Sequence, residues 1–122
     1  MEAWAEVIRT AHCSQLPPRD QGFRVLVTRK WPRGLDRKEI DLWVKDLGGT
    51  PDLMKEFRRG KIPFASFEAR YRAETSDPGR RELVLDLQRR EQKHKALVIV
   101  CDGEKEEVAV RTVLKGILEG TG

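Results

Sequence analysis

Two short apolar runs, Phe23 to Thr28 (FRVLVT) and Ala96 to Cys101 (ALVIVC), constrain the fold of this chain more than any other feature. Both are rich in branched residues and short enough to be strands buried on both faces. Each is followed by a segment with helical signals. Strands that alternate with helices predict an α/β architecture with a parallel sheet, joined by right-handed crossovers. In such sheets a ligand sits beyond the carboxyl ends of the strands. Here those ends are Arg29 to Gly34 and Cys101 to Glu104.

The remaining elements follow from punctuation and periodicity. Ala3 to Ala11 reads as a short strand or a frayed helix, with Val7 and Ile8 favouring the strand. Cys13 to Gly22 is a loop marked by Pro17 and Pro18. After the Trp31-Pro32-Arg33-Gly34 turn, Asp36 and Glu39 stand at capping-box spacing, with Leu35 and Ile40 placed as a hydrophobic staple. Ile40, Trp43, Val44 and Leu47 then recur at i, i+3, i+4 and i+7, which predicts an amphipathic helix ended by Gly48-Gly49. Thr50-Pro51 opens a helix to Gly60, Pro63 one to about Glu74, and Asp77-Pro78 a longer one to about Lys93. Phe64, Phe67 and Tyr71 share one face of the second of these. A last helix after Asp102-Gly103 carries Val110, Val113, Leu114 and Ile117 as its stripe. The expected architecture is therefore α/β, a single small domain over residues 1–122. Its sheet is short and mostly parallel, with about three strands, packed against five helices.

Composition narrows the function classes. The 122 residues are 39% hydrophobic and 36% charged, which suits a folded, highly charged domain rather than a disordered chain. The net charge of +4 permits an anionic partner without requiring one. The longest apolar run, Ala96 to Cys101, is far too short to span a bilayer, and the N-terminus lacks a charged-then-apolar signal. The expected setting is the cytoplasm, with reduced thiols and no membrane contact.

The turn after the first apolar run is the leading candidate site. Arg29, Lys30 and Arg33 crowd one strand end, with Arg37 and Lys38 close behind. Arginine forks suit phosphate or carboxylate, and Trp31 can stack on a ligand or pack under a guanidinium. The structural alternative is that Trp31 plugs the rim of the core while Arg33 pairs with carboxylates. Arg70 and Arg72 flank Tyr71, so one of them can reach the same pocket; the plainer alternative is an i,i+4 pair such as Arg70 with Glu74. No G-x-G-x-x-G or Walker-type loop is present, which removes a nucleotide-cofactor enzyme of the Rossmann kind, and no cofactor is expected. His12 to Arg19 has the H-C-x5-R spacing of a cysteine-phosphatase loop. Pro17 and Pro18 lack the N–H groups that such a cradle needs. Cys101 is a weak thiol candidate, because a helix N-terminus would activate it while Asp102 and Glu104 oppose that. No metal site is expected, since His12 with Cys13 makes a single short cluster and His94 stands alone.

From Arg24 through Leu35 (RVLVTRKWPRGL), and again over Asp41 to Leu47 and Phe67 to Glu74, the chain resembles the YeaO-like family, a domain-of-unknown-function group. The resemblance covers most of the chain from about Ile8. Members share a strand that ends in an arginine-containing Trp-Pro-Arg-Gly turn, then a helix with a tryptophan. The family usually has aspartate where this chain has Thr28, and an acidic, histidine-containing run where this chain has Asp102 to Val108 without histidine. The resemblance implies a fold and a pocket location rather than an activity.

Three readings of function result. The first is an arginine-lined pocket above the strand ends for a small molecule bearing phosphate or carboxylate, with binding alone and turnover both open. The second is a nucleic-acid-binding module using the same basic surface. Most of the aromatic residues sit at core-type positions, so few remain for stacking on bases. The third is a non-catalytic protein that binds a macromolecular partner.

Overall fold

Every strand pairing in the computed structural model, which describes residues 7–103 and 105–120, is parallel. The strands are β1 (Val7–His12), β2 (Phe23–Leu26), β3 (Leu42–Trp43) and β4 (Ala96–Cys101), in the spatial order β1-β4-β2-β3. β4 lies inside the sheet, and its residues from Leu97 to Cys101 are buried on both faces. That position explains why ALVIVC reads as a continuous apolar run instead of an alternating one. Four α-helices complete the fold: α1 (Pro51–Arg58), α2 (Phe64–Thr75), α3 (Pro78–His94) and α4 (Lys105–Leu118).

The two faces of the sheet are covered differently. On one face Ile8, Val25, Val27, Leu97 and Ile99 meet buried residues from all four helices, among them Leu53, Phe67, Leu87 and Leu114. On the other face Ala11, Leu26, Val98 and Val100 are covered by the loop residues Leu16, Trp31, Leu35 and Ile40 and by Trp43 of the edge strand β3. Local signals account for the helices. Thr50 and Asp77 each accept a backbone N–H of the first turn, with proline directly after the cap. Phe67 and Tyr71 are buried as the spacing on α2 predicts, whereas Phe64 is exposed. Tyr71 Oη donates to the Leu47 carbonyl at 2.6 Å, so its polar end is satisfied inside the core.

Two expectations are corrected. The sheet has four strands rather than about three, and the described residues contain four α-helices rather than five. Both differences have one origin. The segment from Asp36 to Leu47 is not a helix; it is a tight turn (Arg37–Glu39), the edge strand β3, and a second tight turn (Lys45–Leu47). Asp36 does cap, accepting from Lys38 N at 2.8 Å, but the coil stops after one turn. Glu39 does not complete a capping box, because its carboxylate accepts from Arg24 Nη1 at 2.6 Å. Arg24 is only 4% exposed, and the carbonyls of Pro17 and Glu39 also serve its guanidinium. Asp41 N then donates to the Arg24 carbonyl and Val44 N to the Leu26 carbonyl, which seats the segment on the open edge of β2.

For the N-terminal strand, Val7–His12 is a strand as favoured, while the positions before residue 7 fall outside the described residues. Among the described residues no helix is long and apolar enough to cross a membrane.

Candidate functional site

The exits of β2 and β4 open into one cleft of about 690 Å³. The turn after β2 contributes Arg29, Lys30, Trp31, Pro32 and Arg33, and α1 contributes Met54, Lys55 and Arg58. Asp102 and the first turn of α4, Glu106 and Glu107, line the opposite side. The tryptophan-bearing corner and the cysteine-bearing strand end therefore do face a shared space, as expected of parallel strands whose carboxyl ends lie together.

Short polar ties shape the turn. Thr28 is buried and donates from Oγ1 to the Lys30 carbonyl at 2.5 Å. Trp31 Nε1 donates to the Leu35 carbonyl at 2.7 Å, and Trp43 Nε1 to the Thr28 carbonyl at 2.6 Å. The two indoles meet edge to face at 5.4 Å, and the Arg37 guanidinium lies 4.8 Å from the centre of the Trp31 ring. Arg29 is pinned through Nε to the Gly49 carbonyl. That contact needs the chain to come in close. A Cβ on Gly48 would stand 2.8 Å from the Val27 carbonyl oxygen, and Gly49 has φ +85° with Met54 Sδ 2.7 Å from where its Cβ would be.

The electrostatics are two-sided. Five basic side chains and three carboxylates share the cleft. Arg58 Nη1 pairs with Glu106 Oε2 at 3.2 Å. Glu106 is 5% exposed, and its second oxygen, Oε1, is buried without a hydrogen-bond partner. The carboxylate is thus held through Oε2 alone among the described residues. Glu107 closes the start of α4, with Oε1 accepting from Asp102 N at 3.0 Å. Among the described residues neither Lys30 nor Arg33 has an ion-pair partner, so both cations face solvent.

Other residues singled out from the sequence lie elsewhere. Arg70 forms a bidentate pair with Glu56 at 2.9 and 3.3 Å rather than with Glu74, whose carboxylate accepts from Thr50. Arg72 pairs with Glu68 one turn earlier and borders a separate groove between α2 and α3. Arg19 pairs with Asp41 at 2.7 Å, away from Cys13, so the H-C-x5-R spacing does not build a phosphate cradle. Burial pushes the Cys101 thiol up to about 12; Arg111 opposes this only in part, while Glu107 and Asp102 add to it. Cys101 is thus a protonated thiol throughout the neutral range. Burial and the Asp102 carboxylate also raise Cys13.

The sequence reading missed Lys55, Arg58, Met54 and Glu106 as members of the cleft. Lys55 and Arg58 are spaced to share a helix face, a signal that was present, but which way that face turns depends on how α1 packs on α4. The other omission is a cluster: ligand-type atoms of His12, Cys13 and Asp102 all lie within 4.8 Å of one another.

A family model described as the active DUF488-N3 subclade matches residues 8–122. The uncharacterized protein YeaO of Escherichia coli K12 is 36% identical over 55 residues, which are 43% of this chain and 48% of that protein. The uncharacterized protein Rv3073c of Mycobacterium tuberculosis H37Rv is 35% identical over 60 residues, 48% of this chain and 51% of that protein. The uncharacterized protein Mb3100c of Mycobacterium bovis matches to the same extent, so the chain spans about half the length of the curated relatives it matches. No solved structure matches. With the family model running from the second residue of β1 to the end of the chain, this is a YeaO-like protein and belongs to the DUF488-N3a family.

Proposed function

We propose that the cleft between the β2 and β4 exits binds a small molecule that carries a phosphate or carboxylate and, next to it, a hydrogen-bond donor. The observation that carries this reading is the composition of one wall. Arg29, Lys30 and Arg33 stand together beside Trp31, and the charges of Lys30 and Arg33 are uncommitted to protein carboxylates among the described residues. Arg29, held through Nε to the Gly49 carbonyl, lines the cleft and keeps its terminal nitrogens as donors suited to a carboxylate or phosphate oxygen. Met54 and the indole of Trp31 supply apolar surface for the body of the ligand. The carboxylates of the facing wall, Asp102 among them, are the groups to take a hydrogen bond from the ligand's donor. The acidic start of α4 argues against a phosphate seated on helix amides, so the arginine side chains do the holding.

The experiment is a thermal-shift screen of nucleotides, sugar phosphates and small carboxylic acids. A ligand at a hundred times its Kd stabilises by about 2.7 kcal/mol, which reads as a shift of several degrees. Arg33→Ala removes one charge-assisted contact worth about 1.5–3 kcal/mol and is expected to weaken the best ligand by roughly tenfold or more. No stabilisation by any compound, or a shift that Arg33→Ala leaves intact, contradicts the reading. A nucleic-acid partner on the same cations would instead give an affinity that falls linearly on a log–log salt plot.

A further inference from the structure

We propose that His12, Cys13 and Asp102 form a binding site for a thiophilic divalent cation of the zinc class. The site does not depend on the anion reading and originates in strand register. β1 and β4 are parallel neighbours, with His12 opposite Cys101. The ladder continues one step, since Cys13 N donates to the Cys101 carbonyl at 2.9 Å, and this brings Cys13 alongside Asp102 although they are 89 positions apart. One imidazole nitrogen, one thiol sulfur and one carboxylate oxygen then fall within 4.8 Å of one another, and Cys13 Sγ stands 4.0 Å from Asp102 Oδ1. All three residues are half-buried, so a cation can reach them from water.

The donor set fits zinc better than calcium or magnesium, which take oxygen ligands. Tetrahedral bonds of about 2.0–2.3 Å put ligand atoms roughly 3.3–3.7 Å apart, so atoms that lie within 4.8 Å of one another need only a small convergence to meet one ion. Thiolate and carboxylate together carry the two negative charges that neutralise the ion. Binding therefore replaces the thiol proton, which leaves to water, by the metal. The imidazole is already oriented. Ser14 N donates to His12 Nδ1 at 3.0 Å and Ser14 Oγ lies 2.7 Å from the same nitrogen; ligation through Nε2 therefore moves the ring proton to Nδ1, where Ser14 Oγ accepts it and the Ser14 N bond is given up. Nε2 faces Gly103, where a Cβ would stand only 2.6 Å away, so the ring uses the space that glycine leaves. Three protein ligands leave one coordination position open, the composition of zinc sites that bind water or substrate. Asp102 also lines the cleft, which puts the ion at its rim.

The test uses the full, metal-stripped chain titrated with Co²⁺, which reports a thiolate ligand through a sulfur-to-cobalt absorption band. The proposal expects a band that saturates at about one equivalent and is displaced by Zn²⁺. It expects Cys13→Ser to abolish the band and Asp102→Asn to weaken binding by roughly tenfold or more. Cys101→Ala should keep the band. Absence of a band in the parent chain, or a band that survives Cys13→Ser, overturns the proposal. So does a band lost with Cys101→Ala while that variant retains its far-ultraviolet circular dichroism. Should Cys13→Ser misfold, Asp102→Asn decides alone, and unchanged cobalt affinity there overturns the site.

Discussion

Ile40, Trp43, Val44 and Leu47 have the same spacing as Val110, Val113, Leu114 and Ile117, yet the first set ends in an edge strand between tight turns and the second in a helix. The difference lies in where the side chains go. Val110, Val113 and Leu114 are buried in the single core on the helical side of the sheet, with Ile117 packed against it. Val44 and Leu47 enter that same core, but Ile40 and Trp43 pack on the loop-covered face. One helical stripe cannot serve two faces of a sheet, whereas an extended segment at the sheet edge can. Periodicity thus permits a helix without requiring it. The backbone partners decide, and here they are the open edge of β2 and the buried guanidinium of Arg24.

Leu114→Ala removes a fully buried side chain from α4 and is expected to cost about 2–5 kcal/mol, read as a drop in the denaturant midpoint. A loss under about 1 kcal/mol would mean that α4 is not the main cover of the sheet. On the extended side, Arg24→Met keeps most of the volume but strands the carbonyls of Pro17 and Glu39, for an expected cost of about 1–3 kcal/mol. Its sharper readout is hydrogen exchange. The amides of Asp41 and Val44 should exchange faster while those of α4 hold their protection relative to global stability. Equal acceleration of both would show that Arg24 supports the whole fold and not this segment.

The smallest effect concerns Asp41. Burial works to raise its pKa, but the Arg24 backbone N–H and the Arg19 side chain outweigh burial and hold it below the usual carboxylate range. A depressed folded-state pKa contributes stability above the unfolded value, near about pH 4, that is lost as pH falls through the folded value. Asp41→Asn should therefore cost less than about 1 kcal/mol near neutrality, with the difference from the parent vanishing in acid. A difference that grows on acidification would reverse the assigned sign.

The same contrast explains what could be read from the residues. β4 was legible to the residue because a central parallel strand is apolar throughout, and α1 and α3 because cap and proline sit together at their starts. Segment 36–47 was illegible because its signals are helical and its determinant, Arg24, is a charged residue inside an apolar run. In the site, Arg29, Lys30, Trp31 and Arg33 were visible as one local cluster. Arg58 resembled a solvated helix residue, and Glu106 an ordinary helix-start acid, until α1 and α4 were packed side by side. Asp102 meeting Cys13 depends on the register of two strands far apart in sequence, and no local pattern encodes that.

The two strand exits are proposed to act as one recognition surface. An amide NMR titration with the best phosphate-bearing compound from the thermal screen tests it most directly. The account predicts that residues 29–34 and 102–107 shift together, with a common saturating affinity that Arg33→Ala weakens. Shifts confined to one of the two exits, or centred instead on the Arg72 groove between α2 and α3, would contradict it.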